Sequence, residues 1–298
     1  GQADFVALGR ELLTDAELPN KVRSGGASEV LRCISCNQGC AHLVLAGQPI
    51  TCTQNPVLGK EAEYAIRRAG MPQKVVVVGG GPAGLEAASM AAEWGHEVTL
   101  LEESDRLGGL ALIAAIPPDK EEYAWVVEDR VRRLRSLPVD VRLGTRATRE
   151  LVEQLHPDVV VIASGSEPVV PKLAGVDRNH VVQAQDVLTG AKTVGERVAV
   201  VGGGGVGCDV ADMMARQGKS VAILEMLPAL ASDVEDTQRY MLLHDLESRG
   251  VRVLTSTTVM AIEEDGLRYR RDGREDVLDS LDNVVVATGY RSRKDVQR

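Results

Sequence analysis

The chain has 298 residues, is 44% hydrophobic and carries a formal net charge of −9, which allows two ordinary domains with real cores and excludes a disordered composition. The acidic balance argues against a nucleic-acid surface, which needs clustered Lys and Arg; the short basic runs Arg132–Arg133 and Arg291–Arg293 read as solvated faces. No apolar run approaches the ~18 residues of a membrane span, no signal peptide is evident, and the thiols are expected to be reduced or metal-bound in a cytoplasmic setting.

Residues 4–8 (DFVAL) predict a short buried strand ending at Gly9-Arg10, and residues 11–24 a helix and its exit. Residues 25–70 read as irregular and hold four cysteines. From 74 the pattern changes: KVVVV is a continuous β-branched run, as in a strand buried on both faces of a parallel sheet. A glycine loop, a helix over 83–94 and a second strand, HEVTLLE, follow. A helix over about 121–136, a short strand near VDVRLG and a further buried strand, DVVVIASG, complete this unit. Then ERVAVVGGGGVGCDVADMMARQGKSVAILE repeats QKVVVVGGGPAGLEAASMAAEWGHEVTLLE almost position for position. Asp-Gly turns at 265–266 and 272–273 predict a β-meander. NVVVATG closes the second unit as VVVIASG closed the first, and Gly165 and Gly289, at the ends of these segments, join the cofactor-binding candidates. The fold class is α/β, with two Rossmann-type domains, one a partial copy of the other.

Gly79, Gly81 and Gly84 form G-x-G-x-x-G between the predicted strand and helix. The first glycine permits the tight turn, the second a close approach to a pyrophosphate, and the third close helix–strand packing. The helix N-terminus offers free N–H groups to the phosphates, and Glu102, ending the second strand, can accept from ribose hydroxyls. In the second unit the equivalents are Gly202, Gly204, Gly207 and Glu225. Glu225 would repel a 2′-phosphate, so NADH is favoured over NADPH, although Arg216 and Lys219 lie nearby. A glycine-rich turn that binds nothing, and an ordinary strand-end acid, are the plain alternatives. Cys208, in the first helical turn, reads as a small packed residue more than as an activated thiol.

Cys33, Cys36, Cys40 and Cys52 fall as C-x2-C-x3-C-x11-C. A redox disulfide between Cys33 and Cys36 leaves Cys40 and Cys52 unexplained. Structural zinc usually takes two separated C-x-x-C pairs. An iron–sulfur cluster presents several iron corners to one tight loop, and a distant thiolate can close it. Zinc and iron–sulfur both stay open on spacing alone.

These motifs together resemble the 2,4-dienoyl-CoA reductase and trimethylamine dehydrogenase family of iron–sulfur flavoproteins, which includes enoate reductases. ADFVALGRELLTDAELPNK is similar to the last strand and helix of that family's (β/α)8 barrel, and RCISCNQGC…ITCTQNP to its [4Fe–4S] loop. VVVVGGGPAGLEAA and LEESDRLGGLALIAAIPPDKEE match its FAD site, and VAVVGGGGVGCDVA its nicotinamide domain. The resemblance implies an FMN-phosphate role for Gly9 and Arg10, as barrel phosphate sites gather after the last strands. It implies that Arg106, Gly108 and Gly109, with the Pro117–Pro118 turn, line the far side of the FAD site. It implies electron flow from NAD(P)H to FAD, to the cluster, to FMN in the barrel, and to a small-molecule substrate. It also implies that most of the barrel precedes Gly1 and that an FAD-closing segment follows Arg298, so this chain would be one part of a subunit with no substrate-reducing residues of its own.

The expected division is a barrel remnant over 1–24, a [4Fe–4S] segment over 25–70, an FAD domain over 71–190 and a nicotinamide domain over 191–298, the last two glutathione-reductase-like. The partners expected are substrate and the rest of the subunit, with a homo-oligomer open and neither nucleic acid nor membrane. The alternatives are an amine dehydrogenase of the same family with a vestigial nicotinamide domain, and a zinc-stapled nucleotide-binding regulator.

Overall fold

Val75, Val76, Val77 and Val78 are all buried in the strand Lys74–Val78, because it lies inside a parallel sheet with a neighbour on each side. A computed structural model describes residues 3–65 and 68–294. Residues 1, 2, 66, 67 and 295–298, parts of the predicted barrel remnant, cysteine segment and nicotinamide domain, lie outside the described residues. The chain divides into two compact units, one of Gly1–Ala115, Glu122–Gly165 and Arg293–Arg298, the other of Ile116–Glu121 and Ser166–Ser292.

The first unit holds a four-stranded sheet in the spatial order Val139–Arg142, Glu97–Leu101, Lys74–Val78, Val159–Ile162, all parallel. This is the order of a mononucleotide-binding half, in which ligands bind beyond the carboxyl ends of the strands. Helix Pro82–Glu93 starts with Pro82 at its first turn, where the missing N–H costs nothing. It buries Leu85, Ala88 and Ala92 against Val75, Val77, Val98 and Leu100, and helix Trp125–Arg135 adds Val127 and Leu134 to the same core. The expected burial of DVVVIASG is not observed: Val159 and Ile162 are 38% and 44% exposed. The cause is topological, since Val159–Ile162 is the edge strand of this sheet.

The expected strand over 4–8 is absent. Phe5 and Val6 are 94% and 76% exposed, and a strand needs a neighbour to take its backbone hydrogen bonds; none is paired with these residues among those described. The expected helix over 11–24 is two short helices, Arg10–Thr14 and Leu18–Arg23. The break falls at Asp15, whose buried carboxylate accepts from the Glu17 and Leu31 N–H groups and from Lys21. A side chain that captures backbone donors in this way competes with the helix. Residues 25–65 and 68–70 are irregular apart from a 3₁₀ turn, Ala27–Glu29, and the helix Ala41–Leu45.

The second unit holds a five-stranded parallel sheet in the order Val181–Gln183, Asn283–Val286, Arg197–Val201, Ser220–Leu224, Arg252–Leu254. The predicted meander is a three-stranded antiparallel sheet of Thr257–Ile262, Leu267–Arg271 and Arg274–Leu278. Strand pairing draws residues 166–190 into this unit, ahead of the expected boundary at 190: Val181–Gln183 pairs with Asn283–Val286, and Ser166–Pro168 with Tyr290–Ser292. The Pro117–Pro118 turn also belongs to this unit.

Candidate functional site

The two glycine loops are built alike, and each glycine has a separate reason. A Cβ on Gly84 would stand 1.8 Å from the Gly79 carbonyl oxygen; on Gly207 it would stand 2.0 Å from that of Gly202. These third glycines are demanded by packing. Gly79 and Gly202 have φ of 103° and 106°, which L side chains rarely adopt. Gly81, by contrast, would point a Cβ into open space, with nothing within 4 Å. Only a ligand lying there would meet it. Gly81 and Gly204 cap the helices Pro82–Glu93 and Gly205–Arg216, so the free N–H groups of two twelve-residue helices face the two loops.

Glu102 and Glu225 are buried at the strand ends, and each braces its own loop. One carboxylate oxygen of Glu102 accepts from the Gly80 N–H at 2.6 Å, and the other from the N–H and hydroxyl of Ser104. Glu225 accepts from the Gly203 N–H at 2.6 Å and from the Leu227 N–H at 2.7 Å. Glu102 Oε2 and both oxygens of Glu225 have lone-pair capacity for a further donor, so these acids can serve both loop and ribose.

A second arm closes each loop. Gly108 donates its N–H to the Gly80 carbonyl at 2.8 Å, and Ala231 donates to that of Gly203 at 2.7 Å. Leu107 and Leu230 pack against the middle glycines, 2.5 and 2.3 Å from the place a Cβ would take. Gly108 and Gly109, expected to line the far side of the FAD site, lie beside the first loop, with the Gly81 Cα 3.4 Å from where a Cβ on Gly109 would stand. Arg106 is exposed and gives the loop only its carbonyl, which accepts from the Ser104 hydroxyl. Gly165 and Gly289 have φ of 72° and 98°; Gly289 lines a cavity of about 230 Å³ with Gln185, Val206 and Tyr290, within the second unit.

The four cysteines line one cavity of about 320 Å³ in the first unit, together with Arg10, Thr14 and Gln54. Two arms of chain make it by crossing at Gly39, where a Cβ would be 2.5 Å from the Thr51 carbonyl oxygen, and the Thr51 N–H donates to the Gly39 carbonyl at 2.6 Å. Ser35 and Asn37, either side of Cys36, have φ of 53° and 56° and turn the first arm sharply. No His, Asp or Glu lines the cavity, and no group of three or more His, Cys, Asp or Glu side chains is arranged to hold a metal ion among the described residues. The only metal-ligating side chains of the lining are four cysteine thiols, a donor set that suits an iron–sulfur cluster or a structural zinc ion. Arg10, expected on an FMN phosphate, donates to Asn37 at 2.7 Å on the rim of this cavity, and Gly9 precedes the short helix with open space where a Cβ would point.

The residues that fasten this loop were not legible from motif spacing. Arg32 donates to Asp129 through its N–H and its guanidinium, at 2.7–3.0 Å, and lies 4.7 Å from the Trp125 ring centroid. Arg130 donates twice to Gln54, and Gln54 donates to the Arg32 carbonyl. The signal available was only the density of arginine in VEDRVRRLR. Cys208 is fully buried, and burial, then the charges of Asp209, Asp233 and Glu225, push its thiol up to about 12; it is a packed residue, not a nucleophile. No helix of the described residues is long and apolar enough to cross a membrane.

Residues 127–298 match the family described as pyridine nucleotide-disulphide oxidoreductase, and residues 74–175 match FAD dependent oxidoreductase. The chain is 40% identical over 296 residues to an NADH oxidase of Thermoanaerobacter brockii, covering 97% of this chain and 45% of the relative. It is 36% identical over 299 residues to a cinnamate reductase of Clostridium sporogenes, covering 99% and 44%. The solved complex of 2-naphthoyl-CoA reductase with 2-naphthoyl-CoA superposes with a TM-score of 0.94 at 32% identity, over 99% of this chain and 45% of that one. The chain therefore spans less than half the length of these relatives. Two matching glycine loops, a cavity lined by four cysteines and these matches agree: the chain belongs to the pyridine nucleotide-disulphide oxidoreductase family, and within it to the FAD-dependent iron–sulfur flavoproteins of the 2,4-dienoyl-CoA reductase and trimethylamine dehydrogenase type.

Proposed function

We propose that this chain is the electron-input part of an NADH-dependent iron–sulfur flavoprotein reductase. FAD is held at the first loop, NADH at the second, and [4Fe–4S] on Cys33, Cys36, Cys40 and Cys52. FMN and an activated C=C substrate, such as an enoyl-CoA or enoate, sit in the remainder of the subunit. One observation carries the reading: the four-thiol cavity is packed into the same compact unit as the first dinucleotide loop. The named activities of the relatives support the donor and the substrate class. The five free cysteines suit a reducing, cytoplasmic compartment.

When bound, the flavin exchanges electron pairs with the nicotinamide and the cluster passes electrons singly. The chain's own residues supply positions. Gly81 leaves room for a diphosphate against the helix N-terminus, and the Glu102 brace fixes the loop before any ligand arrives. Gly39 and Thr51 hold the two cysteine arms together, and buried Ile34 and Gln54 wall the cavity from water.

Iron, sulfide and zinc analysis of the anaerobically purified full-length protein tests the centre. About four irons with matching sulfide are expected, and stoichiometric zinc without sulfide overturns the assignment. Oxidation of NADH by the same preparation separates the reductase from an amine dehydrogenase whose second unit is vestigial.

A further inference from the structure

We infer that Asp233 stands in the phosphate position of the second dinucleotide loop and sets, by competition, how tightly that loop takes a dinucleotide. The inference rests on the second unit being the nicotinamide-dinucleotide site.

The internal repeat supplies the comparison. Leu107 and Leu230 pack on the two middle glycines, and Gly108 and Ala231 donate to the same carbonyls of the two loops. Counting onward, Gly109 corresponds to Ser232 and Leu110 to Asp233. In the first unit this position begins the helix Leu110–Ala114 with an apolar side chain, and the space beside Gly81 is empty to 4 Å. In the second unit an acid stands there. Asp233 Oδ1 accepts from the Gly205 N–H at 2.9 Å, and both of its carboxylate oxygens lie 3.4 Å from where a Gly204 Cβ would point.

Gly205 opens the helix Gly205–Arg216. Its N–H belongs to the set of unshared donors that a dinucleotide diphosphate uses in this kind of loop. The carboxylate thus takes an anion's place on an anion's donor. An incoming diphosphate must displace Asp233 or sit against its charge. Asp233 is exposed, so it can swing out into solvent. Two like charges at this distance near a surface repel appreciably, and salt screens the repulsion.

Equilibrium titration of the oxidised full-length holoenzyme with ADP-ribose, which has the diphosphate but no nicotinamide, and with NAD+, which cannot reduce the flavin, tests this. Asp233→Asn retains an oxygen for the Gly205 N–H and removes the charge. It is expected to lower Kd for both ligands about tenfold at low salt, with the gap narrowing as ionic strength rises. Asp233→Ala should tighten binding at least as much, and Asp233→Glu, which keeps the charge, should not tighten it. Wild-type binding with an unchanged or raised Kd in Asp233→Asn overturns the inference and leaves the nicotinamide reading intact. No binding of either ligand by wild type or variants, with FAD content normal, overturns both. Binding that first becomes measurable in Asp233→Asn supports both.

Discussion

Arg130 joins the helix Trp125–Arg135 to Gln54, donating from one nitrogen to the amide oxygen at 2.6 Å and from another to the main-chain carbonyl at 3.1 Å. Gln54 is 1% exposed and lies two residues from Cys52. Burial holds the Arg130 guanidinium below its ordinary range, partly offset by Glu86. A buried cation with three acceptors is a fixed strut between sheet layer and cysteine loop. Arg130→Ala is expected to cost roughly 3 kcal/mol, since it strands buried acceptors, and Arg130→Lys should recover less than half. Urea unfolding read at Trp125 and Trp94 measures both; a cost under about 1 kcal/mol would reduce the strut to a packing contact.

Asp129 governs the acid limit of the same junction. Burial pulls its carboxyl upward, but the side-chain and main-chain bonds from Arg32, then those from Arg132, outweigh this and hold it below the usual carboxylate range. A carboxyl depressed in the folded state stabilises fully above its unfolded value, about pH 4, and loses that contribution as pH falls toward the folded value. Proteolysis within residues 25–65 should therefore accelerate as pH falls below about 4 with an acid-tolerant protease. Asp129→Asn should cleave faster at pH 7 and show a flatter pH dependence; an equal slope in wild type and variant would remove Asp129 from the account.

Cys36→Ser should abolish iron binding and loosen the loop, because bound metal contributes directly to folding. Cys208→Ser is the matched control and should leave the iron content unchanged. Iron per chain together with the visible absorption of the cluster reads the difference.

Gly81 and Gly84 separate ligand room from fold room. Gly81→Val puts its side chain into open space, so the fold should persist while FAD is lost from the full-length protein. Gly84→Ala meets the Gly79 carbonyl and should destabilise by about 1–3 kcal/mol or more. FAD content and thermal unfolding, measured on both variants, should move in opposite order. Stoichiometric FAD in Gly81→Val would sink the site assignment.

The donor should be NADH. Arg216 is engaged by Asp212, Asp119 and Asp245, and Lys219 by the Val194 and Gly195 carbonyls. Neither cation is free to meet a 2′-phosphate, and Glu225 would repel one. A ten- to hundred-fold preference in kcat/KM is expected, at ~1.4 kcal/mol per tenfold. Equal values for NADPH would show that one of these ion pairs opens.

The strands and glycine loops were legible because β-branched runs and G-x-G-x-x-G spacing are local signals. Lys74–Val78 and Arg197–Val201 fall where KVVVV and RVAVV place them. The same reasoning overstated DVVVIASG. Asn283–Val286 has a strand on both sides and is buried, whereas Val159–Ile162 has one neighbour and is half open. Residue type does not encode the number of neighbours. DFVAL failed for a related reason: an apolar run supplies no partner strand. Asp233 was invisible because its meaning depends on a hydrogen bond to Gly205 across an intervening stretch of chain, and only the folded repeat shows that Leu110 is its counterpart.

The braces from Glu102 to Gly80 and from Glu225 to Gly203 are made entirely within the protein. Each loop therefore keeps its shape on internal hydrogen bonds, whether or not a nucleotide is present. Either unit could lose its ligand without losing its architecture, so selection for folding alone suffices to preserve the first and third glycines and the strand-end acid of each loop. Those glycines with their acid therefore record a constraint on the backbone. The record of whether a coenzyme is still used lies in positions that folding does not require, such as Gly81, whose Cβ would point into open space, and Asp233.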